Sequence, residues 1–255
     1  MTKTFFLSPP FQDACRILLQ DAQSIRPFQL KYGAYFSAEP PHGDEQMQTV
    51  DLSASPTPLS ELDRRLFEHP TYAESILALH GAAVEQNGKA YLFLAATTSG
   101  KTTLTSYLTS NGFGYLTDDC ILLGREDFLV HPYPTPIQLR DGGLAVLRAY
   151  GAEPDGVELL EEPNALRRLV YTPKNCAEEP LPLAKIFFIE RTEDENAVIE
   201  MSITERMTAL MKSPITNYRV DGDYLRLLSR LARVDCAILR YCDMNFVKEL
   251  IQREQ

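Results

Sequence analysis

The sequence predicts an α/β fold: a mixed sheet with helices packed on it, built around a P-loop, and a small, mostly β N-terminal region. Three observations carry this. An apolar run at 91–94 leads into Ser99-Gly100-Lys101-Thr102-Thr103, after which Leu104 and Leu108 fall at helical spacing. Asn87-Gly88 separates two apolar runs, the strongest short hairpin signal. The last third alternates strand-like runs with leucine-rich helical ones.

The elements come in order. Residues 1–70 form the N-terminal region, punctuated by Pro9-Pro10, Pro40-Pro41, Pro56 and Pro58. Within it, 11–23 reads as a short helix and 28–36 as a strand. Residues 71–255 form the P-loop domain. The run 75–84 and the strand 91–94 form the hairpin, with Asn87-Gly88 as its two-residue turn. Gln86 then pairs with Lys89, and continuing that register sets His80 opposite Ala95. A helix follows the loop, then a strand from Gly114 ending in Asp118-Asp119. A strand–helix–strand unit crosses over right-handed into a parallel pair, which puts both carboxylates at the carboxyl edge, where α/β sheets bind ligands. A second hairpin spans 120–123 and 128–131, and 142–150 reads as a helix. Residues 151–183 read as loop, interrupted at 167–171. Strands are expected at 184–190, 197–203 and 236–241. Ser202 and Glu205 have capping-box spacing for a helix to 212. Leucines at 225, 227, 228 and 231 mark another helix, and Asp243 caps the last one.

The chemistry concentrates at Ala95 to Thr103. The phosphate-binding pattern is Gly, four residues, Gly-Lys-Ser/Thr, and only its first Gly is replaced, by Ala95. The expected nucleotide contacts are Ala95, Thr97, Thr98, Ser99, Gly100, Lys101, Thr102 and Thr103. Backbone N–H groups and the helix N-terminus face the phosphates. Lys101 reaches the β- and γ-phosphates, and the Thr102 hydroxyl sits on Mg²⁺. The bland alternative is a Ser/Thr-rich turn that contains Gly-Lys-Thr. Asp118 and Asp119 are neighbours on a strand, so they point to opposite faces. One would hold Mg²⁺ and the other would face an acceptor hydroxyl; a solvated turn is the alternative. Arg140, Arg167, Arg168 and Arg191 are candidates for a charge-stabilising cation, with Arg168 preferred because it opens an apolar stretch after a long loop.

Leu79-His80-Gly81-Ala82-Ala83-Val84, Ser99-Gly100-Lys101-Thr102-Thr103-Leu104 and Thr117-Asp118-Asp119 together resemble the catalytic domain of the HPr kinase/phosphorylase family. The resemblance covers about 70–245, most strongly to 136. It implies a sheet of HPr kinase type and an ATP- and Mg²⁺-dependent kinase acting on a serine or threonine hydroxyl of a peptide or protein. It implies that Asp118 helps hold the metal, and that Asp119 is the catalytic base, with help from His80. Some smaller relatives modify precursor peptides. The family loop usually has Gly where this chain has Ala95 and Thr98. Ala95 crowds the turn and Thr98 resists φ > 0, so ATP binding is expected to be weakened. The Gly- and Glu-rich signature of the phosphorylase forms is missing after the Asp pair.

Composition narrows the partners. A net charge of −10 disfavours nucleic acid and anionic membranes, and no run approaches the roughly 18 apolar residues of a span. Cys15, Cys120, Cys176, Cys236 and Cys242 show no metal-ligand spacing, as expected of free thiols in the cytoplasm. The expected partners are a nucleotide and a peptide or protein acceptor, with a homo-oligomer left open. A nucleotide-binding regulatory or assembly module and a small-molecule kinase are the competing readings.

Overall fold

The computed structural model describes residues 2–20, 25–41, 47–68, 72, 74–96, 99–162, 166–215 and 220–254. In chain order the elements are β1 (Lys3–Leu7), β2 (Cys15–Leu19), α1 (Ile25–Tyr32), β3 (Phe36–Ser37), β4 (Gln48–Asp51), α2 (Pro58–Glu68), β5 (Ile76–Gln86), β6 (Lys89–Leu94), α3 (Lys101–Ser110), β7 (Gly114–Thr117), β8 (Cys120–Gly124), β9 (Leu129–His131), β10 (Ile137–Leu139), α4 (Asp141–Ala149), β11 (Glu158–Glu162), β12 (Leu166–Tyr171), β13 (Leu181–Arg191), β14 (Ala197–Glu200), α5 (Ile203–Leu210), α6 (Gly222–Leu231), β15 (Asp235–Tyr241) and α7 (Met244–Arg253). Two compact units result. The first is Met1–Glu74 with Thr135–Gly142 and Asp155–Thr172; the second is Ser75–Pro134, Gly143–Pro154 and Pro173–Gln255.

The first unit is α+β rather than mostly β. Its four-stranded sheet runs β3-β1-β2-β4, and its smaller antiparallel sheet runs β10-β12-β11. Where a helix is expected at 11–23, β2 forms instead. Cys15, Ile17 and Leu19 are buried in alternation, a period of two that overrides helical spacing. Where a strand is expected at 28–36, α1 forms. Its buried residues are Phe28 and Tyr32, four apart, and Gly33 at φ +54 ends it. The helix α2 opens on Pro58, whose fixed φ suits the first turn. Buried Glu162 of β11 accepts from the N–H groups of Leu59 (2.8 Å) and Ser60 (3.0 Å), so a carboxylate meets the positive end of α2. The segments 135–142 and 155–172, expected within the P-loop domain, belong to this unit, and β11 lies where loop is expected.

The second unit is a mixed sheet with helices. Its order is β14-β15-β13-β6-β5-β8-β9, with β7 also paired to β5. β6, β13 and β15 are parallel, while β5 is antiparallel to β6. The β5–β6 hairpin has the register read from Asn87-Gly88: Gln86 faces Lys89, and pairing continues to Gly81 and Leu94. Asn87 (φ 54) and Gly88 (φ 72) supply the two positive angles this turn requires. β7, expected beside β6, is not there, because β5 and β13 already occupy both edges of β6. It pairs antiparallel with β5 instead. It therefore still runs in the same direction as β6, and the carboxyl ends of β6, β7, β13 and β15 share one edge.

Alternation divides the core between the faces. Ala90, Leu92 and Leu94 pack in one cluster with Leu210 of α5 and Leu227, Leu228 and Leu231 of α6. Tyr91 and Phe93 point the other way. Tyr91 Oη donates to the carbonyl of Glu254 beyond α7 (3.2 Å), and Phe93 stacks on Phe187. α3 joins α7 through Tyr107 Oη and Asn245 (2.6 Å). The capping box of Ser202 and Glu205 and the Asp243 cap form as expected. The buried side of α7 is Met244, Val247 and Ile251. Among the described residues no helix is long and apolar enough to cross a membrane.

Candidate functional site

The strand β6 ends at Leu94, and the chain re-enters regular structure at Lys101. Gly100 between them sits at φ +93, which a side chain resists. A Cβ there would also be a tight fit, 3.1 Å from Tyr241 Oη. Gly100 brings no side-chain cap to the first N–H groups of α3, which suits that end to an anion. Lys101 is only 7% exposed. Its Nζ donates to the carbonyls of Ala95 (2.8 Å) and Ala96 (3.1 Å), so the ammonium closes the loop on itself. Ala95 is not among the described non-glycine residues with positive φ, so a methyl group there carries no backbone strain. Ser99 Oγ is buried without a hydrogen-bond partner among the described residues. Thr97 and Thr98 lie outside the described residues.

The Asp pair sits at a bend. Along β5, Thr117 lies opposite Ala83 and Cys120 opposite His80 in one register, which an irregularity between Ala83 and Val84 separates from the earlier part of β7. Thr117 Oγ1 donates to the Cys120 carbonyl (2.9 Å), pinning the bend at Asp118-Asp119. The two carboxylates part at this bend, beyond the end of β7 at Thr117: Asp118 is 3% exposed and Asp119 is exposed. Burial, then the Asp119 charge, holds the Asp118 carboxyl well above the usual carboxylate range; a hydrogen bond from Thr102 and the Lys101 charge act the other way. Oδ1 of Asp118 has no hydrogen-bond partner among the described residues.

His80 completes the cluster. Its backbone N–H donates to Ser213 (2.7 Å) and that of Gly81 to Asp119 (3.4 Å). Burial, then Lys101, lowers the His80 pKa, while Asp119 raises it through its charge and a backbone hydrogen bond. Burial also lowers the Lys101 pKa, against Asp118 and Asp119. His80, Lys101, Thr102, Asp118 and Asp119 therefore share one field at the carboxyl edge. Gly81 makes the close packing there feasible. A Cβ would lie 2.6 Å from Leu94 Cδ2 and 2.7 Å from both Ile121 Cδ1 and the Phe93 carbonyl. Gly81→Ala should lose about 1–3 kcal/mol of stability in urea unfolding, the usual cost of overpacking. An unchanged midpoint would show that the strand can yield.

Of the candidate arginines, Arg168 lies on β12 in the first unit, where its guanidinium donates to the Arg167 carbonyl (2.7 Å). Arg191, at the end of β13, stands beside Gly100 within the second unit, its Cδ 3.8 Å from a Cβ at that glycine. Burial pushes the neighbouring Tyr241 hydroxyl up to about 12, with Arg191 acting against it. Nothing in the local sequence of Arg191 marks this placement. A cavity of about 730 Å³ opens next to the cluster, bounded by His80, Ala95 and Ala96 on one side and by α5 on the other. Sequence reasoning missed that wall, since α5 reads simply as an amphipathic helix. Among the described residues no group of three or more His, Cys, Asp or Glu is placed to hold a metal.

No protein-family model matches the chain, and no curated protein matches it. Among solved structures, the HPr(Ser) kinase/phosphatase from Coxiella burnetii is similar over 69% of this chain and 91% of its own, at 12% identity and a TM-score of 0.31. A likeness at that identity and score assigns no activity, so any function must come from this chain's own residues.

Proposed function

We propose that the chain is an ATP-dependent kinase that transfers the γ-phosphate to a serine or threonine hydroxyl of a peptide or protein. The observation that carries this is the placement of Asp118. Its Oδ1 is buried and unpartnered beside Thr102 and Lys101, and the next residue, Asp119, is exposed at the same bend. A buried carboxylate oxygen without a partner is costly unless a cation completes it. Asp118 and the Thr102 hydroxyl fit Mg²⁺, which typically takes one or two protein oxygens together with phosphate oxygens and water. When bound, the ion would neutralise phosphate charge.

The remaining roles belong to the chain. Lys101 exchanges its two loop carbonyls for β- and γ-phosphate oxygens, a charge-assisted and stronger pairing. The open N-terminus of α3 and the loop from Ala95 to Thr103 hold the phosphates. Asp119 orients the acceptor hydroxyl and takes its proton as the oxygen–phosphorus bond forms. The bond to the β-phosphate oxygen breaks, and ADP leaves with the electron pair. His80, kept neutral at pH 7 by its lowered pKa, supports Asp119 through the hydrogen bond to its backbone. Arg191 stands where a guanidinium can share the phosphate charge.

Incubation with γ-labelled ATP, Mg²⁺ and serine-containing peptides tests the assignment. Label on peptide serine is expected. Tight ATP binding with no transfer to any hydroxyl would instead favour a nucleotide-binding module.

A further inference from the structure

We infer that the cavity beside His80 is the acceptor pocket, and that it selects a hydroxyl flanked by anionic groups. This rests on the kinase reading above and names its substrate class. The position comes first. Ala95 and Ala96, whose carbonyls hold Lys101 Nζ, line the cavity, and so does His80. Lys101 is the group that reaches the β- and γ-phosphates, so the cavity meets the site at the end where transfer occurs. An acceptor seated there approaches the phosphate from the side of His80.

The far wall explains the selectivity. The chain leaving α5 is stitched to β5: Leu79 bridges Pro214, and Ile215 N–H donates to Ala78 (3.1 Å). That holds Lys212 and Ser213 against His80. The floor is apolar, formed by Phe188 and Ala209, while Thr204 and Thr208 supply hydroxyls. Two charges of opposite sign remain on the α5 side. Glu205 is already engaged, since its carboxylate accepts from Ser202 N–H (2.8 Å) and Oγ (2.6 Å) in the capping box. Lys212 Nζ has no hydrogen bond or ion pair among the described residues, and it is the exposed cation of this wall. At about 730 Å³ the cavity holds an acceptor side chain with its neighbours, within the usual range of roughly 300–1,000 Å³. An acceptor with carboxylates beside its hydroxyl finds Lys212 as partner. A basic one meets only Glu205, whose carboxylate is held in the capping box, and brings its charge toward Lys212 and Lys101.

The test uses the full chain with Mg²⁺ and a non-hydrolysable ATP analogue. Two fluorescein-labelled serine pentapeptides, one flanked by glutamates and one by lysines, are titrated by anisotropy. The acidic peptide should bind roughly fivefold or more tightly than the basic one, the scale of a partly exposed charge pair. Lys212→Glu should reverse the order, and Thr208→Trp, which fills the cavity, should abolish binding of both. Binding of a fluorescent ATP analogue to each variant is measured in parallel and should not change. Equal affinity for the two peptides, binding of neither to the wild-type chain, or a preference untouched by Lys212→Glu would overturn the pocket assignment. Failure of the kinase reading itself would show separately, as absence of ATP-analogue binding to the wild-type chain. Thermal melts establish that both variants fold.

Discussion

Asp119→Asn should cut phosphoryl transfer by about 10²–10⁴-fold, the usual contribution of a general acid–base group. ATP affinity should stay close to wild type, because the substitution keeps size and polarity at an exposed side chain. The loss should fall on kcat rather than on the KM for ATP, as befits an interaction needed only in the transition state. Asp118→Asn should behave differently. It removes the charge on the buried oxygen set beside Thr102, so the Mg²⁺ requirement should rise while saturating Mg²⁺ restores part of the rate. The pH response separates them further. The Asp118 carboxyl is held above its ordinary range, mainly by burial, so it gains its charge only as pH rises. Mg²⁺-dependent ATP binding should therefore tighten with rising pH and level off once Asp118 is ionised. Asp118→Asn should flatten that dependence, and Asp119→Asn should shift it to lower pH by removing a neighbouring negative charge. His80→Gln should cost less than Asp119→Asn, since His80 acts through its neighbour. Transfer at the wild-type rate by Asp119→Asn under saturating Mg²⁺ would remove Asp119 from the base role.

Local rules make much of this site readable from the sequence. A two-residue turn sets a hairpin register outright, so Asn87-Gly88 is enough to fix the pairing from Gln86–Lys89 to Gly81–Leu94, one residue short of the expected His80–Ala95 pair. That the two carboxylates part is legible as well, but which of them turns inward is not, since Asp118 and Asp119 lie in the bend beyond β7, whose own four residues are all buried. What escapes depends on contacts distant in sequence. The neighbours of β7 are decided by which edges of β6 are free, and no local pattern around Gly114 records that β5 and β13 fill them. Arg191 and Arg168 both sit on strands; only the packing of β13 beside β6 distinguishes the one next to Gly100. The N-terminal errors have a simpler cause. In short segments such as 15–19 and 28–32, three or four apolar residues fit either period, and the choice falls to the core they join.

Lys101→Ala should nearly abolish nucleotide binding, and the structure says which part of the loss is electrostatic. Truncating one partner of a desolvated, hydrogen-bonded charge pair costs about 2–5 kcal/mol, or roughly 30-fold to several thousand-fold in affinity. Lys101 meets that description: it is buried, it donates to two carbonyls, and both Asp118 and Asp119 act on it. Lys101→Met keeps most of the volume without the charge, so it should match Lys101→Ala in nucleotide affinity while preserving more of the fold. The unliganded variants carry a second signature. Without Lys101, Asp118 loses a stabilising positive neighbour and its pKa rises further. A carboxyl whose folded pKa lies above its unfolded value loses stability as pH climbs from the unfolded toward the folded value. The destabilisation should thus be small in acid, where Asp118 is neutral in both states, and largest above the folded pKa. Thermal melts across pH, with and without Mg²⁺ and ATP, read both effects. At a ligand concentration about 100 times Kd, binding adds about 2.7 kcal/mol of stability, so the wild-type melting temperature should rise measurably. Neither variant should show that rise. An equal rise in wild type and Lys101→Met would show that the ammonium stays on the Ala95 and Ala96 carbonyls and takes no part in holding the phosphates.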